Sequence, residues 1–140
     1  MTTETMTTDT AMTTDVTMTH TLPGPRLKRV TEFIALHLDQ DLTLAQLGAV
    51  ACMSPFHFAR LFKRSTGLPP HRFVVRARID QARALLAEQR RLPIRRIAEV
   101  VGFRTVSHFT AVFHRVTGTT PRAYRAAYRP VSTGGHDDVL

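Results

Sequence analysis

The chain is poor in the residues that would support a disulfide, a membrane anchor or a secretory leader. It has one cysteine in 140 residues, so an internal disulfide is excluded and no Cys-x-x-Cys metal motif can form. It has no uninterrupted apolar run long enough for a spanning helix, and its N-terminus lacks a basic start followed by an apolar core. These absences favour a single cytoplasmic domain.

Acidic residues are scarce in the central part of the chain. All 19 Lys and Arg lie between Arg26 and Arg129, where only six acidic residues occur, and the difference leaves that segment at +13. Seventeen of the 19 cations are Arg, whose planar fork suits phosphates and base edges better than a Lys ammonium does. This excess indicates a polyanion or an acidic surface as partner, although a solvated basic surface has the same composition.

Two segments without helical or strand periodicity flank this basic region. Residues 1–25 begin with a Thr-rich stretch, and residues 129–140 are rich in small and polar groups. We expect both to be disordered tails. Between them the apolar residues follow a helical period and predict an all-α domain. The predicted helices are, in order, 26–38, 44–51, 55–65, 70–88, 94–101, 105–117 and 121–128.

The predicted helix-turn-helix segments are repeated. The stretch SPFHFARLFKRSTG, residues 54–67, returns in related form as VSHFTAVFHRVTG, residues 106–118. The apolar residues of the preceding short helix repeat at an offset of 50, and after the turn the offset becomes 51, so the second turn is one residue longer. A short helix, a tight turn and a second helix form a helix-turn-helix, whose second helix can enter a DNA major groove. We place these motifs at about 44–66 and 94–117, joined by a long helix at 70–88.

The spacing of the phenylalanines predicts which face of the second helix of each motif is buried and which is exposed. Four phenylalanines stand four residues apart within their helices and are predicted to be core: Phe58, Phe62, Phe109 and Phe113. His57 and His108 occupy equivalent positions in the two copies and are better explained as surface or turn-packing groups than as metal ligands. Neither a metal nor an organic cofactor is predicted, and no motif indicates an enzyme.

The two turns differ in one residue. Gly102 can adopt a positive φ without strain, whereas Cys52 occupies the equivalent place in the first copy. Cys52 must therefore either form a different turn or accept a cost of about 1 kcal/mol. We expect its thiol to be buried in the turn.

The sequence resembles the DNA-binding domain of AraC/XylS-type transcription regulators over about residues 26–128. The resemblance rests on SPFHFARLFK, on GF before the second recognition helix, on SHFTAVF and on TGTTPRAYR. It implies a seven-helix, two-lobed bundle with two helix-turn-helix motifs joined by a long central helix. It also implies a monomer on double-stranded DNA with recognition helices in successive major grooves. The function implied is transcription activation through RNA polymerase contact, on the bacterial nucleoid and away from membranes.

The resemblance assigns candidate contacts residue by residue. Base-contacting positions fall on Phe56, Ala59 and Arg60 in the first recognition helix, and on Val106, Ser107, Thr110 and Ala111 in the second. Family members often carry Gln at the Val106 position and Arg at the Ala111 position, so the first helix is expected to carry more of the specificity. Candidate phosphate contacts are Thr43, Lys63, Arg64, Arg76, Arg104, Thr105 and Arg115. For each of these, a solvated charge or a helix cap is an equal alternative.

Three functions remain open from the sequence. The first is a sequence-specific transcription regulator, and the second is a DNA-binding protein with little sequence selectivity. The third is a helical protein-interaction module derived from the same fold. Salt dependence separates DNA binding from protein interaction, and competitor DNA separates specific from non-specific binding.

Overall fold

The computed structural model describes residues 21–128, and these residues form seven α-helices and no strand. The helices are α1 (Gly24–Leu36), α2 (Leu44–Val50), α3 (Pro55–Thr66), α4 (Pro70–Glu88), α5 (Ile94–Val100), α6 (Val106–Thr117) and α7 (Pro121–Ala127). The predicted all-α, seven-helix fold is therefore confirmed. None of the helices in the described range is long and apolar enough to cross a lipid bilayer.

The first helix begins earlier in the chain than the sequence predicted. α1 begins at Gly24, two residues before the predicted start, because Pro25 is compatible with the first helical turn, where its missing N–H has no intrahelical role. Leu22 is buried, and its backbone N–H donates to the Ser65 hydroxyl at 2.7 Å. Assigning residues 21–25 to a disordered tail was therefore wrong. The rest of the two predicted tails, 1–20 and 129–140, lies outside the described residues.

Side-chain caps fix the starts of several helices where the sequence predicted them. Thr43 forms a capping box with Gln46 at the start of α2, and the hydroxyls of Ser54 and Thr120 accept backbone N–H bonds at the starts of α3 and α7. Thr105 caps α6 in the same way, so α6 begins one residue later than predicted. Gly67 and Gly118 end α3 and α6 in the left-handed conformation.

The chain divides into two compact units, as the two-lobed prediction requires. The first includes the described chain up to His37 and residues Leu42–Val74, and the second includes Leu38–Asp41 and the chain from Val75. The long helix α4 runs from the first unit into the second, so it is the predicted connecting helix. Each unit contains one helix-turn-helix, formed by α2 and α3 or by α5 and α6.

The predicted core phenylalanines are fully buried. Phe58 and Phe62 lie in the first unit, and Phe109 and Phe113 occupy the equivalent places in the second. In the second unit the two rings pack in a cluster with apolar residues of α4, of α5, of the turn that follows α5 and of α6 itself: Ile79, Ala82, Leu86, Ile97, Ala98, Val101, Phe103 and Val112. Burying an aromatic ring of this size stabilises a fold by about 1.5–3 kcal/mol relative to leaving it exposed. The core thus fixes which face of α3 and α6 points outward.

The two helix-turn-helix turns adopt positive φ angles at equivalent positions. Cys52 has a φ of 61° and is the one non-glycine residue with positive φ among residues 21–128, while Gly102 has a φ of 101°. The first turn therefore accepts the strain that the sequence left as one of two alternatives. The expectation of a buried thiol was wrong, since Cys52 is exposed. The exposure follows from the left-handed conformation at the turn, because the residues that fill the core flank it at Ala51 and on α3.

Replacing Cys52 with glycine is expected to raise the free energy of unfolding by up to about 1 kcal/mol, because glycine adopts this φ without the Cβ clash. Chemical denaturation of the two proteins measures the difference. Cys52→Ala is the matched control, since it removes the thiol but keeps the Cβ and should give no gain. Equal stabilisation by both substitutions would show that the thiol, and not the backbone strain, lowers the free energy of unfolding of the wild-type protein.

Three arginines of the second unit bind backbone carbonyls. Arg78 donates from Nε to the Leu38 carbonyl at 3.0 Å and from Nη2 to the Gln40 carbonyl at 2.7 Å. Arg125 donates to the carbonyls of Leu86 and Gln89 at the end of α4, at 3.3 and 3.1 Å. Arg90 similarly donates to the Tyr128 carbonyl at 3.0 Å. These guanidinium groups keep their charge, but several of their N–H donors are used within the fold and are not free to contact a polyanion.

Burial also affects two of these arginines electrostatically. Desolvation lowers the pKa of Arg78, and the nearby carboxylates of Asp41 and Asp39 partly offset the shift. The pKa of Arg125 is lowered by desolvation first and by the positive charge of Arg90 second. Arginine remains charged at neutral pH in either case. Both side chains therefore act as charged donors that tie a loop or a helix end into the second unit.

Candidate nucleic-acid interface

The outward face of α3 is basic and carries one large exposed aromatic ring. Because Phe58, Leu61 and Phe62 are buried, the opposite face of the helix is turned to solvent. Phe56 is 87% exposed, Arg60 is exposed, and Ala59 is half-buried between them. Phe56 and Arg60 stand four residues apart and therefore lie on one face. The three base-contact candidates of the first recognition helix thus come together on a single surface.

The cations at the end of α3 extend this face. Lys63 and Arg64 are exposed in the last turn, where positive charge also favours the helix dipole. No acidic residue occurs in Pro55–Thr66. A DNA backbone approaching this surface would meet cations without local repulsion.

The outward face of α6 has different chemistry. Phe109, Val112 and Phe113 are buried, so the opposite face of α6 points to solvent. That face carries Val106, which is 38% exposed, and the exposed residues Ser107 and Ala111. Thr110 is half-buried on the same side. The four base-contact candidates therefore share a surface that is small, neutral and partly apolar. Its cationic groups stand at the two ends, with Arg104 before the helix and Arg115 in its last turn.

The phosphate-contact candidates fall into two structural groups. Thr43 and Thr105 are helix N-caps, with hydroxyl oxygens accepting the backbone N–H of Gln46 and His108, both at 3.1 Å. Both threonines therefore act as helix caps, the alternative that the sequence left open. A contact with phosphate would have to use the O–H donor of each hydroxyl, since the cap uses the oxygen as an acceptor. All the candidate cations are exposed, and Arg104 forms an ion pair with Asp41; the candidates are Lys63, Arg64, Arg76, Arg104 and Arg115. Their contacts with phosphate stay predictions.

One cation beside the second recognition helix was not assigned from the sequence. Arg122, near the start of α7, lines a surface depression together with Val106 and Thr110. Ile94, Thr120 and Pro121 line the rest of it. The sequence signal was the cap at Thr120, which places residue 122 in the first turn of α7, but only the packing of α7 beside α6 brings it to this face. Arg122 is therefore an additional candidate for contacting a DNA backbone.

The histidines and the cysteine form no metal centre within the described range. Residues 21–128 contain no group of three or more His, Cys, Asp or Glu side chains arranged to hold a metal ion. His108 is exposed and packs edge-on against Phe103, with ring centroids 5.4 Å apart. His57 is half-buried on α3. Both histidines occupy the surface or turn-packing places that the repeat predicts.

The fold and the two outward helices define a DNA-binding domain with two helix-turn-helix motifs. A model of a helix-turn-helix domain family matches residues 47–127. The chain is 34% identical over 96 residues to a probable transcriptional regulator, LumQ, from Photobacterium leiognathi, covering 69% of this chain and 38% of LumQ.

Two solved structures agree in fold and in sequence. The C-terminal domain of AraT, a response regulator from Geobacillus stearothermophilus, is 31% identical with a TM-score of 0.69, over 76% of this chain and 88% of that domain. The DNA-binding domain of AdpA, a global transcriptional factor solved in complex with a target DNA, is 33% identical with a TM-score of 0.69, over 73% of this chain and 91% of that one.

The chain belongs to the AraC-type helix-turn-helix DNA-binding domains. This confirms the family that the sequence resembles, and the matched region is the DNA-binding domain of transcription regulators and not a catalytic domain. It spans 38% and 33% of the lengths of LumQ and of the regulatory protein PocR from Salmonella typhimurium, so the similarity concerns the DNA-binding part of such regulators.

Proposed function

We propose that this chain is a sequence-specific transcription regulator that docks α3 and α6 in successive major grooves of double-stranded DNA. It binds as a monomer in the bacterial cytoplasm, on the nucleoid, and activates transcription through contact with RNA polymerase. The family membership supports DNA as the partner, and the AdpA domain is a relative solved with a target DNA. The contacts, the activation and the monomeric state are parts of the proposal.

The observation that carries the proposal is the outward face of α3. Arg60 is exposed there, and among residues 21–128 it has no ion pair or hydrogen bond that would have to be broken on binding. A free guanidinium on a recognition helix can donate two bonds to the O6 and N7 atoms of a guanine. We further propose that Phe56, four residues earlier, contacts a thymine methyl group. α3 therefore presents one polar and one apolar reading group.

The neutral face of α6 favours a different role for the second helix. Val106, Ser107 and Ala111 offer no bidentate donor to a base, while Arg104 and Arg122 stand on either side. Cations flanking a small, neutral helix surface suit phosphate contacts, which set position and affinity without reading sequence. The same observation favours the second candidate function, a DNA binder with little sequence selectivity, if α3 also binds only the backbone.

Salt dependence tests the proposal. The full chain is titrated with random-sequence duplex DNA at several salt concentrations, and log K is expected to fall by about 0.9 per neutralised phosphate for each unit of log salt. Addition of competitor DNA then separates specific from non-specific binding. Salt-independent or absent binding by the folded chain would contradict DNA binding and favour the protein-interaction module.

Introducing an arginine at Ala111 is expected to strengthen DNA binding, because a bidentate contact of a guanidinium with a base is worth about 1–3 kcal/mol. Binding of Ala111→Arg and wild-type protein to the same duplex, measured by fluorescence anisotropy, gives the change. Ala84→Arg adds the same charge at an exposed position on α4 and controls for general attraction. Equal affinities of the two variants would show that α6 does not dock as proposed.

A further inference from the structure

Asp41 forms an ion pair with Arg104, one of the candidate phosphate-contacting residues beside the second recognition helix. Arg104 immediately precedes Thr105, the cap of α6, and its Nη2 lies 2.9 Å from Oδ2 of Asp41. We propose that Asp41 competes with the DNA backbone for Arg104 and thereby lowers the affinity of the chain for DNA. This inference rests on the proposed function, because it assigns a competitor to one of the phosphate contacts of that function.

Asp41 is held in place by backbone contacts within the second unit. Arg78 binds the carbonyls of Leu38 and Gln40, the latter next to Asp41 in the chain, at 3.0 and 2.7 Å. Gly102 permits the loop to approach closely, since a Cβ at residue 102 would lie 2.1 Å from the Leu38 carbonyl oxygen. Asp41 is therefore carried on an anchored loop, from which its carboxylate reaches Arg104 beside the start of α6.

The surroundings of the pair are unusually acidic for this chain. Asp39, Asp41 and Glu99 line one surface depression with Arg104, and they are three of the six acidic residues between Arg26 and Arg129. Glu99 pairs with Arg96 at 3.0 Å, whereas Asp41 pairs with Arg104 at 2.9 Å. A phosphate that binds Arg104 would have to approach negative charge that the first recognition helix lacks.

The exposure of the ion pair indicates that Asp41 competes with phosphate for Arg104 and does not orient Arg104 toward it. The side chains of Arg104 and Asp41 are 83% and 76% exposed, and ion pairs in contact with solvent are weak. Bidentate contact with phosphate is a stronger, charge-assisted interaction, so DNA is able to displace the carboxylate. The displaced carboxylate then stands near the phosphate and takes up a cation from solution. That uptake cancels part of the counterion release that drives binding.

The test is the substitution Asp41→Asn in the full chain, with a random-sequence duplex of roughly 32 base pairs, three helical turns, as the probe. Because an exposed ion pair is lost, affinity is expected to rise about two- to fivefold at near-physiological salt. The slope of log K against log salt is expected to steepen by up to about 0.9, one additional phosphate. Asp41→Glu, which keeps the charge, should remain close to wild type.

Two controls separate competition from other effects of the substitution. Glu88→Gln removes the same charge from an exposed residue that no described arginine pairs with, and should change affinity much less because salt screens distant charges. In an Arg104→Ala background, Asp41→Asn should have no effect beyond that of Glu88→Gln. Thermal unfolding of each variant reports on the fold, since Asp41 also favours the charged form of Arg78.

The outcomes distinguish this inference from the proposed function. Tighter binding and a steeper slope for Asp41→Asn, both dependent on Arg104, support the competition. Unchanged or weaker binding by a folded Asp41→Asn protein overturns it, and weaker binding would mean that Asp41 orients Arg104 toward the phosphate. Absence of binding by the wild-type chain overturns the proposed function itself.

Discussion

Replacing Arg60 with alanine is expected to weaken binding to the chain's preferred DNA site by about 1–3 kcal/mol and to relax selectivity at one base position. The guanidinium is exposed on the outward face of α3, and the change removes no hydrogen bond or ion pair of the described fold. Stability should therefore be unchanged while the base contact is lost. Binding to the preferred site and to single-base variants of it measures both effects.

Lys63→Ala is the matched comparison on the same helix face. Lys63 is exposed in the last turn of α3, where its charge is suited to a phosphate. Its loss should weaken binding to all sequences alike and lower the salt slope by about 1. If Arg60→Ala produced the same uniform loss, Arg60 would be a phosphate contact and α3 would not read bases through it.

Replacing Gly102 with alanine is expected to lower the free energy of unfolding by about 3 kcal/mol or more, which places it among the severe single substitutions. A Cβ at this position would lie 2.1 Å from the Leu38 carbonyl oxygen and 2.8 Å from Nε of Arg78. The φ of 101° adds backbone strain for any residue with a side chain. The clash also threatens the hydrogen bonds of Arg78 to the loop. Urea denaturation followed by circular dichroism measures the loss.

Gly118→Ala separates the close approach from the backbone strain. Gly118 has a φ of 85°, but a Cβ there would meet nothing within 4 Å. Its substitution should therefore cost only the left-handed conformation, about 1–2 kcal/mol. Equal losses for the two glycines would contradict the close approach of the loop to residue 102.

The helix positions were largely predictable because their end signals are local. Thr43, Ser54 and Thr120 cap helices where the sequence placed them, and α4 has its predicted bounds. The four core phenylalanines followed from spacing alone, since a helix repeats its faces every three to four residues. α1, which begins after Pro23 without a side-chain cap bond, was placed two residues late.

Other features depend on contacts between segments far apart in the chain. Arg78, Arg90 and Arg125 looked like part of a basic surface, but each binds carbonyls that are distant in sequence. The exposure of Cys52 depends on how the turn folds back, and the pairing of Arg104 with Asp41 joins residues 63 positions apart. No periodicity or spacing reports such contacts.

In the candidate interface, too, some features could be predicted from local sequence and others depend on contacts between distant segments. The outward faces of α3 and α6 could be predicted from the repeat, because the buried faces determine the exposed ones, whereas the choice of base-contact candidates on them came from the family resemblance. The proximity of Arg122 to Val106 required the position of α7. The contrast between a basic α3 and a neutral α6 was readable from the sequence. It remains the main reason to expect unequal contributions from the two helices.

The central claim is that the chain reads DNA sequence, and selection of genomic DNA fragments by the full chain at near-physiological salt tests it most directly. The account predicts one strongly enriched block read by α3 and a weaker block about one helical turn away, where α6 docks. Arg60→Ala protein should lose selectivity in the stronger block. Binding without any enriched sequence, by a chain that circular dichroism shows to be folded, would contradict sequence-specific recognition.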